Sequence, residues 1–311
     1  MRLNVVFDNI IYTLQRNGGV SVVWNELLRR ARADKDVQCT ELDYVENLTP
    51  RPLERYRIPA YRAEVPAVFH SSYFRILPQA GVRNVTTVHD LTYHFYRRGL
   101  AKAVHLWEEE RALRHSEAVI CVSENTKRDL LRFYPRFPEE RMHVIYNGVS
   151  DDFYPLPSVE KKGFLLFVGN STAAYKRYDV AQQVAQRTGL ELVTAANVTR
   201  EELNTLYNEA LCLLYPSDYE GFGLPVLEAQ KAGCPVIAQN NSSIPEIIGA
   251  EGLIVQHDTL QRMAAEMADI VRQLQSRPTD KIITAGIENA KRFSWDKTYL
   301  QVKEIYRQLL E

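Results

Sequence analysis

Apolar residues along the chain follow two spacings that alternate for most of its length. Short runs rich in β-branched and aromatic residues, at 3–7, 37–44, 68–71, 84–88, 118–122 and 143–146, predict strands. Between them, segments with an apolar position every three or four residues, at 20–33, 102–115 and 124–133, predict amphipathic helices. Strands alternating with helices imply a parallel, doubly wound sheet. After Asn147-Gly148 the chain runs through Asp151-Asp152-Phe153-Tyr154-Pro155-Leu156-Pro157 and the charged Glu160-Lys161-Lys162-Gly163, which is turn chemistry suited to an interdomain linker. The alternation then restarts, with strands predicted at 164–168, 190–195, 212–215, 235–238 and 253–255 and helices at 178–188, 201–209 and 225–232. Residues 259–275, 281–292 and 295–310 are helical by apolar spacing, with no strand among them. The expectation is an α/β protein of two domains, 1–150 and 151–294, with a cleft between their sheets.

Composition narrows the class. The chain has 311 residues, 45% of them hydrophobic and 25% charged, which is globular and has room for two cores. Its apolar runs, such as 164–168, are far shorter than the roughly 20 residues a spanning helix requires. The opening run 3–7 ends at Asp8, too short for a signal sequence and without a small-residue cleavage site, so a cytoplasmic protein is expected. Cys39, Cys121, Cys212 and Cys234 are scattered, with no C-x-x-C pair and no histidine at metal spacing; they read as reduced core residues. Residues 1–150 carry 22 basic and 18 acidic side chains and the rest 16 and 21, so the halves are +4 and −5. That gives no case for nucleic-acid binding, and it leaves open a basic first domain that approaches an anionic surface or acceptor.

The most informative stretch is Glu220-Gly221-Phe222-Gly223-Leu224-Pro225-Val226-Leu227-Glu228, which follows the apolar strand at 212–215 and opens a helix. Glycines let a backbone approach a ligand, proline suits a first helical turn, and the N–H groups there attract a diphosphate. Glu220 and Glu228 flank that site, and because carboxylates repel phosphate, their natural partners are hydroxyls of a sugar and a ribose. Two solvated glutamates around a plain glycine turn would share the spacing. The phosphate loop of ATPases, the G-x-G-x-x-G dinucleotide fingerprint and the G-x-S-x-G nucleophile elbow are all absent. No Asp-x-Asp stands in a setting that suggests a metal-bound diphosphate, so no cofactor and no essential metal are expected.

With this motif the chain resembles the retaining glycosyltransferases of family 4, whose hallmark is a glutamate, seven residues and a second glutamate. The resemblance extends over nearly the whole chain. It takes in Gly18-Gly19-Val20-Ser21, Thr87-Val88-His89-Asp90-Leu91, Val122-Ser123-Glu124-Asn125-Thr126, Tyr146-Asn147-Gly148-Val149, and Phe167-Val168-Gly169 followed by Tyr175-Lys176-Arg177. It implies the GT-B architecture, two Rossmann-like domains facing a central cleft, with the donor held mainly by the second, the acceptor by the first, and the last helix, about 295–311, crossing back to the first.

Carried over by position, the resemblance gives Glu228 the ribose hydroxyls, Glu220 and His89 the donor sugar, and Lys176 the departing diphosphate. The amides of Gly221, Phe222, Gly223 and Leu224 would meet the diphosphate and sugar, Gly19 would allow close backbone approach, and the loop at Val198 would border the base. Many members carry an arginine where this chain has Asn170, and Arg177 is the expected replacement for that charge. His70, at another strand end, is a further cleft candidate. Ser123, before a helical run, reads first as a helix cap. Arginine–aromatic segments at 51–62 and 93–102 suit a surface that meets anionic lipid or a lipid-diphosphate acceptor, and also suit solvated loops.

The expected activity is retaining transfer of a hexose from a nucleotide diphosphate sugar to a glycan or lipid-linked acceptor in surface polysaccharide synthesis, by a cytoplasmic enzyme peripheral to the membrane. The pattern Gly18-Gly19-Val20-Ser21 resembles that of bacterial mannosyltransferases and points to GDP-mannose, with UDP-sugars open. A nucleotide-sugar 2-epimerase and a non-catalytic binding partner are the alternatives.

Overall fold

The computed structural model describes residues 2–15, 18–42 and 54–311. The last two residues of the strand predicted at 37–44, and Arg51, lie outside them. Two compact units are present, the first made of Met1–Asn147 with Trp295–Glu311 and the second of Gly148–Ser294.

In the first unit the order is β1 (Leu3–Asp8), α1 (Ile11–Leu14), α2 (Gly19–Ala33), β2 (Val37–Leu42), β3 (Ala67–Ser71), β4 (Val82–Val88), α3 (Thr92–Tyr96), α4 (Gly99–His115), β5 (Ser116–Cys121), α5 (Glu124–Phe133) and β6 (Met142–Val144). Its strands form a parallel sheet in the order β2-β1-β3-β4-β5-β6. Every residue of β3 is buried, as a parallel strand covered on both faces requires. Ser123 caps α5 by accepting from the Thr126 amide at 3.0 Å, the structural role its position suggests.

The second unit runs β7 (Leu165–Val168), α6 (Tyr178–Thr188), β8 (Leu192–Ala195), α7 (Arg200–Glu209), β9 (Cys212–Tyr215), α8 (Leu224–Lys231), β10 (Val236–Gln239), α9 (Ile244–Ile247), β11 (Leu253–Val255), α10 (Leu260–Ser276) and α11 (Asp280–Ala290). Its strands are parallel in the order β11-β10-β9-β7-β8. Apolar residues of α6 and α10, among them Val180, Val184, Met263, Met267 and Val271, bury one face of the sheet against Leu165, Phe167, Leu214 and Ile237. Both sheets reverse direction of growth after their second strand. In the second unit this places the switch between β7 and β9, whose carboxyl ends are where a doubly wound sheet binds ligands.

The segment expected to be a linker is laid along α7. Asn204 and Asn208, one turn apart, accept from the Tyr154 and Leu156 amides at 3.1 and 2.7 Å, and Phe153 is buried edge-on against Tyr207. The final helix, α12 (Trp295–Leu310), belongs to the first unit. Tyr299 donates to Asp34 at 3.0 Å, Lys303 pairs with the same carboxylate at 2.8 Å, and the Tyr306 hydroxyl meets His70 Nδ1 at 2.5 Å.

The four cysteines are free thiols, and Cys121, Cys212 and Cys234 are buried. Among the described residues no helix is long and apolar enough to cross a membrane.

Candidate functional site

The glycine-rich turn after β9 is shaped by local conformation. Gly223 has φ 107° and precedes α8, with Pro225 in its first turn. A Cβ at Gly223 would stand 3.0 Å from both Ile244 and Ile247 Cδ1, so only glycine fits without strain. The side chain of Phe222 is buried, edge-on to Phe293. From the loop after β10, Ser243 donates to the carbonyls of Phe222 and Glu220 at 2.7 and 3.0 Å, and the Ser242 hydroxyl accepts from the Glu220 amide at 3.0 Å. These two serines fix the turn from a distance in sequence that no local motif reveals.

Lys176 reaches this turn from the loop after β7. Its Nζ lies 2.6 Å from Glu220 Oε1, and both side chains are largely buried. The ammonium also sits 5.5 and 5.6 Å from the ring centres of Tyr215 and Tyr175, close enough for cation–π attraction. Gly169, with φ 125°, lies under the lysine stem. Burial, with Glu220 adding to it, raises the Tyr215 phenol well above its ordinary range, so the hydroxyl stays protonated beside the pair. The carboxyl ends of β7 and β9 thus hold a lysine–glutamate pair next to a helix N-terminus.

Glu228 lies one turn along α8 and is in a different electrostatic state. Its carboxylate accepts from the buried Tyr207 hydroxyl at 3.2 Å, and burial pushes its pKa up to about 7, against the opposing effects of Tyr207 and the Arg200 charge. Glu220 has a cation, whereas Glu228 has one phenol; a partner that donates hydrogen bonds to Glu228 would favour its ionised form.

Gly221, Gly223 and Leu224 lie in the turn and first helical residues just described. Val198 is exposed, between Asn197 in the left-handed conformation and Thr199, which caps α7 through a reciprocal pair with Glu202. Asn170 is committed to a turn, its side-chain oxygen accepting from the amide and hydroxyl of Thr172 at 2.9 and 2.8 Å. Arg177 is held by Asp218 at 3.1 Å and Asp179 at 3.3 Å, so the replacement charge expected of it is already neutralised.

In the first unit, Gly19 begins α2 with open space where a Cβ would stand. His89 follows β4, and burial lowers its pKa to about 4, which keeps the imidazole neutral. His70 is not a cleft residue. It is fully buried, bonded to Tyr306 and, at 2.8 Å, to the Thr87 hydroxyl, and it ties α12 to the sheet. The arginine–aromatic segments are also turned partly inward: Arg55 forms a two-point pair with buried Glu108 at 2.6 and 3.0 Å, His94 meets buried Glu109 at 2.6 Å, and Tyr93 stacks on His105. Among the described residues no group of three or more His, Cys, Asp or Glu side chains is placed to hold a metal ion.

Comparison with known proteins supplies the wider context. Residues 51–153 match the family described as Glycosyltransferase Family 4, and residues 153–273 match Glycosyl transferases group 1. The O-antigen chain mannosyltransferase B of Escherichia coli is 28% identical, over 84% of this chain and 81% of that protein. Among solved structures, the sucrose-phosphate synthase of Thermosynechococcus elongatus superposes with a TM-score of 0.73 at 18% identity, over 99% of both chains. Anabaena HepE in complex with UDP and glucose superposes with a TM-score of 0.67 at 16% identity, over 99% of this chain and 100% of that one. These two likenesses establish the fold as GT-B.

Proposed function

Because the chain belongs to the family 4, group 1 glycosyltransferases, we propose that it transfers mannose from GDP-mannose, with retention of configuration, to a glycan or lipid-linked acceptor of surface polysaccharide synthesis. The observation that carries the site assignment is the Lys176–Glu220 pair beside the start of α8. In the resting protein these two charges satisfy each other. A bound nucleotide diphosphate sugar offers a better partner to each, diphosphate to Lys176 and sugar hydroxyls to Glu220, so binding exchanges one ion pair for two matched contacts. The ribose hydroxyls would donate to Glu228, and the amides of Gly221 to Leu224 would meet the diphosphate.

In the transfer step the bond between the anomeric carbon and the β-phosphate oxygen breaks while the acceptor hydroxyl bonds to the same face of that carbon. The acceptor's proton passes to the departing phosphate oxygen. Lys176 and the helix amides stabilise the negative charge that builds there, and on this reading no metal ion is needed. His89 enters as a neutral hydrogen-bonding group for the sugar. Mannose is supported by the likeness to the E. coli mannosyltransferase, and the enzyme would act at the cytoplasmic side of a membrane.

Thermal shift across GDP, UDP, ADP and dTDP, with and without Mg²⁺, tests the donor class. A ligand at 100 times its Kd adds about 2.7 kcal/mol of stability. A selective, metal-independent shift with GDP supports the proposal, and a shift with UDP reassigns the donor to the uridine series. Isomerised donor in the absence of any acceptor would identify an epimerase, and no shift with any nucleotide would identify a binding partner without catalysis.

A further inference from the structure

Helix α4 packs with its polar side inward. His105, Glu108, Glu109, Ala112 and Leu113 are its buried residues, while Leu100 is 80% exposed and Trp107 51%. Leu100, Ala103, Val104 and Trp107 follow the i, i+3, i+4, i+7 spacing of a single helix face, and that apolar face is the one turned to solvent. An ordinary surface helix is the reverse. The orientation is locked: Arg55 clamps Glu108, His94 and Tyr134 hold Glu109 at 2.6 and 3.2 Å, and Tyr73 bonds His105 at 3.0 Å. Rotating the helix to hide Leu100 and Trp107 would break all of these contacts and expose or strand two buried carboxylates.

The charge around this face indicates what covers it. From residue 97 through 107 the chain carries Arg97, Arg98 and Lys102 and no acidic residue, and Phe95 and Tyr96, just before, are exposed as well. The Arg111 guanidinium lies over the Trp107 ring at 4.9 Å. A second copy of the chain would bring like charges together. A surface with apolar depth and negative headgroups matches both features, because aromatic side chains settle at the headgroup level and each nearby Lys or Arg adds attraction to anionic lipid.

We propose that the outer face of α4, centred on Leu100 and Trp107 and flanked by Arg97, Arg98 and Lys102, docks on an anionic lipid bilayer. The inference deepens the proposed function by giving a lipid-linked acceptor a surface to be presented from, and its test uses neither donor nor acceptor. The full chain is sedimented with vesicles of phosphatidylcholine alone and of phosphatidylcholine with about 30% phosphatidylglycerol. Trp24 and Trp295 are 1% and 4% exposed, so Trp107 is the tryptophan whose emission can move, and it should shift to the blue with the anionic vesicles only.

Leu100→Glu/Trp107→Glu should lower the bound fraction at least about tenfold, as should Arg97→Glu/Arg98→Glu, since two charges at about 1 kcal/mol each correspond to roughly 30-fold. Both variants should keep the wild-type melting temperature and any nucleotide-induced shift. Absence of binding to anionic vesicles by the wild-type chain would overturn the proposal, as would binding that neither variant weakens. A dimer in solution that Trp107→Glu abolishes would assign the face to a second copy and also overturn it. Failure of every nucleotide to shift the melt would leave the vesicle result standing and count against the proposed function alone.

Discussion

Glu228 gives the sharpest quantitative prediction because its environment disfavours the ionised form that a ribose would require. Its carboxyl is raised from 4.5 to about 7, first by burial. The folded protein therefore holds this proton more tightly than the unfolded chain, and between pH 4.5 and 7 the folded state binds more protons. Stability falls as pH rises through that window. At 1.36 kcal/mol per unit the full shift corresponds to about 3 kcal/mol by pH 8. Glu228→Gln removes the titration while the amide oxygen still accepts from Tyr207. The variant should match wild type near pH 4.5 and exceed it by up to about 3 kcal/mol at pH 8, roughly 6–12 °C in the melting of a unit of this size. The functional counterpart has the opposite sign. Hydroxyl donors prefer the carboxylate, so wild-type nucleotide affinity should fall below pH 7, approaching tenfold per unit, and Glu228→Gln should lose that component. The assay is paired: melting without ligand and calorimetric titration with nucleotide, at half-unit steps from pH 5 to 8, with the difference between proteins cancelling the nucleotide's own phosphate titration. A difference in melting that stays flat with pH would refute the raised carboxyl, and equal nucleotide affinity in both proteins would refute its role at the ribose.

Three further outcomes follow from the same geometry. Glu220→Ala and Lys176→Ala should each reduce turnover at least about 100-fold, as the loss of one preorganised electrostatic contact does, and near-normal turnover in either variant would remove that residue from the mechanism. Gly223→Ala should lose about 1–3 kcal/mol through its positive φ and the 3.0 Å approach to Ile244 and Ile247, and with it the nucleotide-induced shift; an unchanged melt would show that the turn is not held as described. Tyr306→Phe should cost about 1–3 kcal/mol by leaving the buried His70 Nδ1 without its partner, read by denaturant unfolding, whereas wild-type stability would mean that this contact does not secure α12.

Much of the fold was legible because parallel strands and their covering helices leave two distinct spacings in the chain. Strands 212–215 and 253–255 and helices 124–133, 178–188 and 295–310 coincide with the observed elements. The four- and five-residue helices α1, α3 and α9 were missed because one turn is too short to show a 3.6-residue period. The glycine turn at 221–223 and the glutamates around it were legible because special backbone conformations demand special residues. What holds them was not. Ser242 and Ser243 reach the turn from about 20 residues downstream, Tyr207 reaches Glu228 from 21 residues upstream, and Lys176 finds Glu220 across 44 positions. Asn170 and Arg177 show the converse. Their types suited ligand contact, but Thr172 and Asp179, each two residues away, and Asp218, 41 positions downstream of Arg177, already hold them.

Helix α4 separates what periodicity contains from what it lacks. The spacing of Leu100, Ala103, Val104 and Trp107 states that an apolar stripe exists, and the usual inference is that the sheet takes it. Which side faces inward is decided by the partners waiting there. Arg55, 53 residues before Glu108, and Tyr134, 25 residues after Glu109, receive carboxylates that would otherwise be stranded. Breaking a buried ion pair by removing one partner costs about 3–5 kcal/mol, whereas burying a leucine returns about 1.5–3. With two carboxylates already matched inside, the polar face wins the interior, and the apolar face is left for something outside the chain.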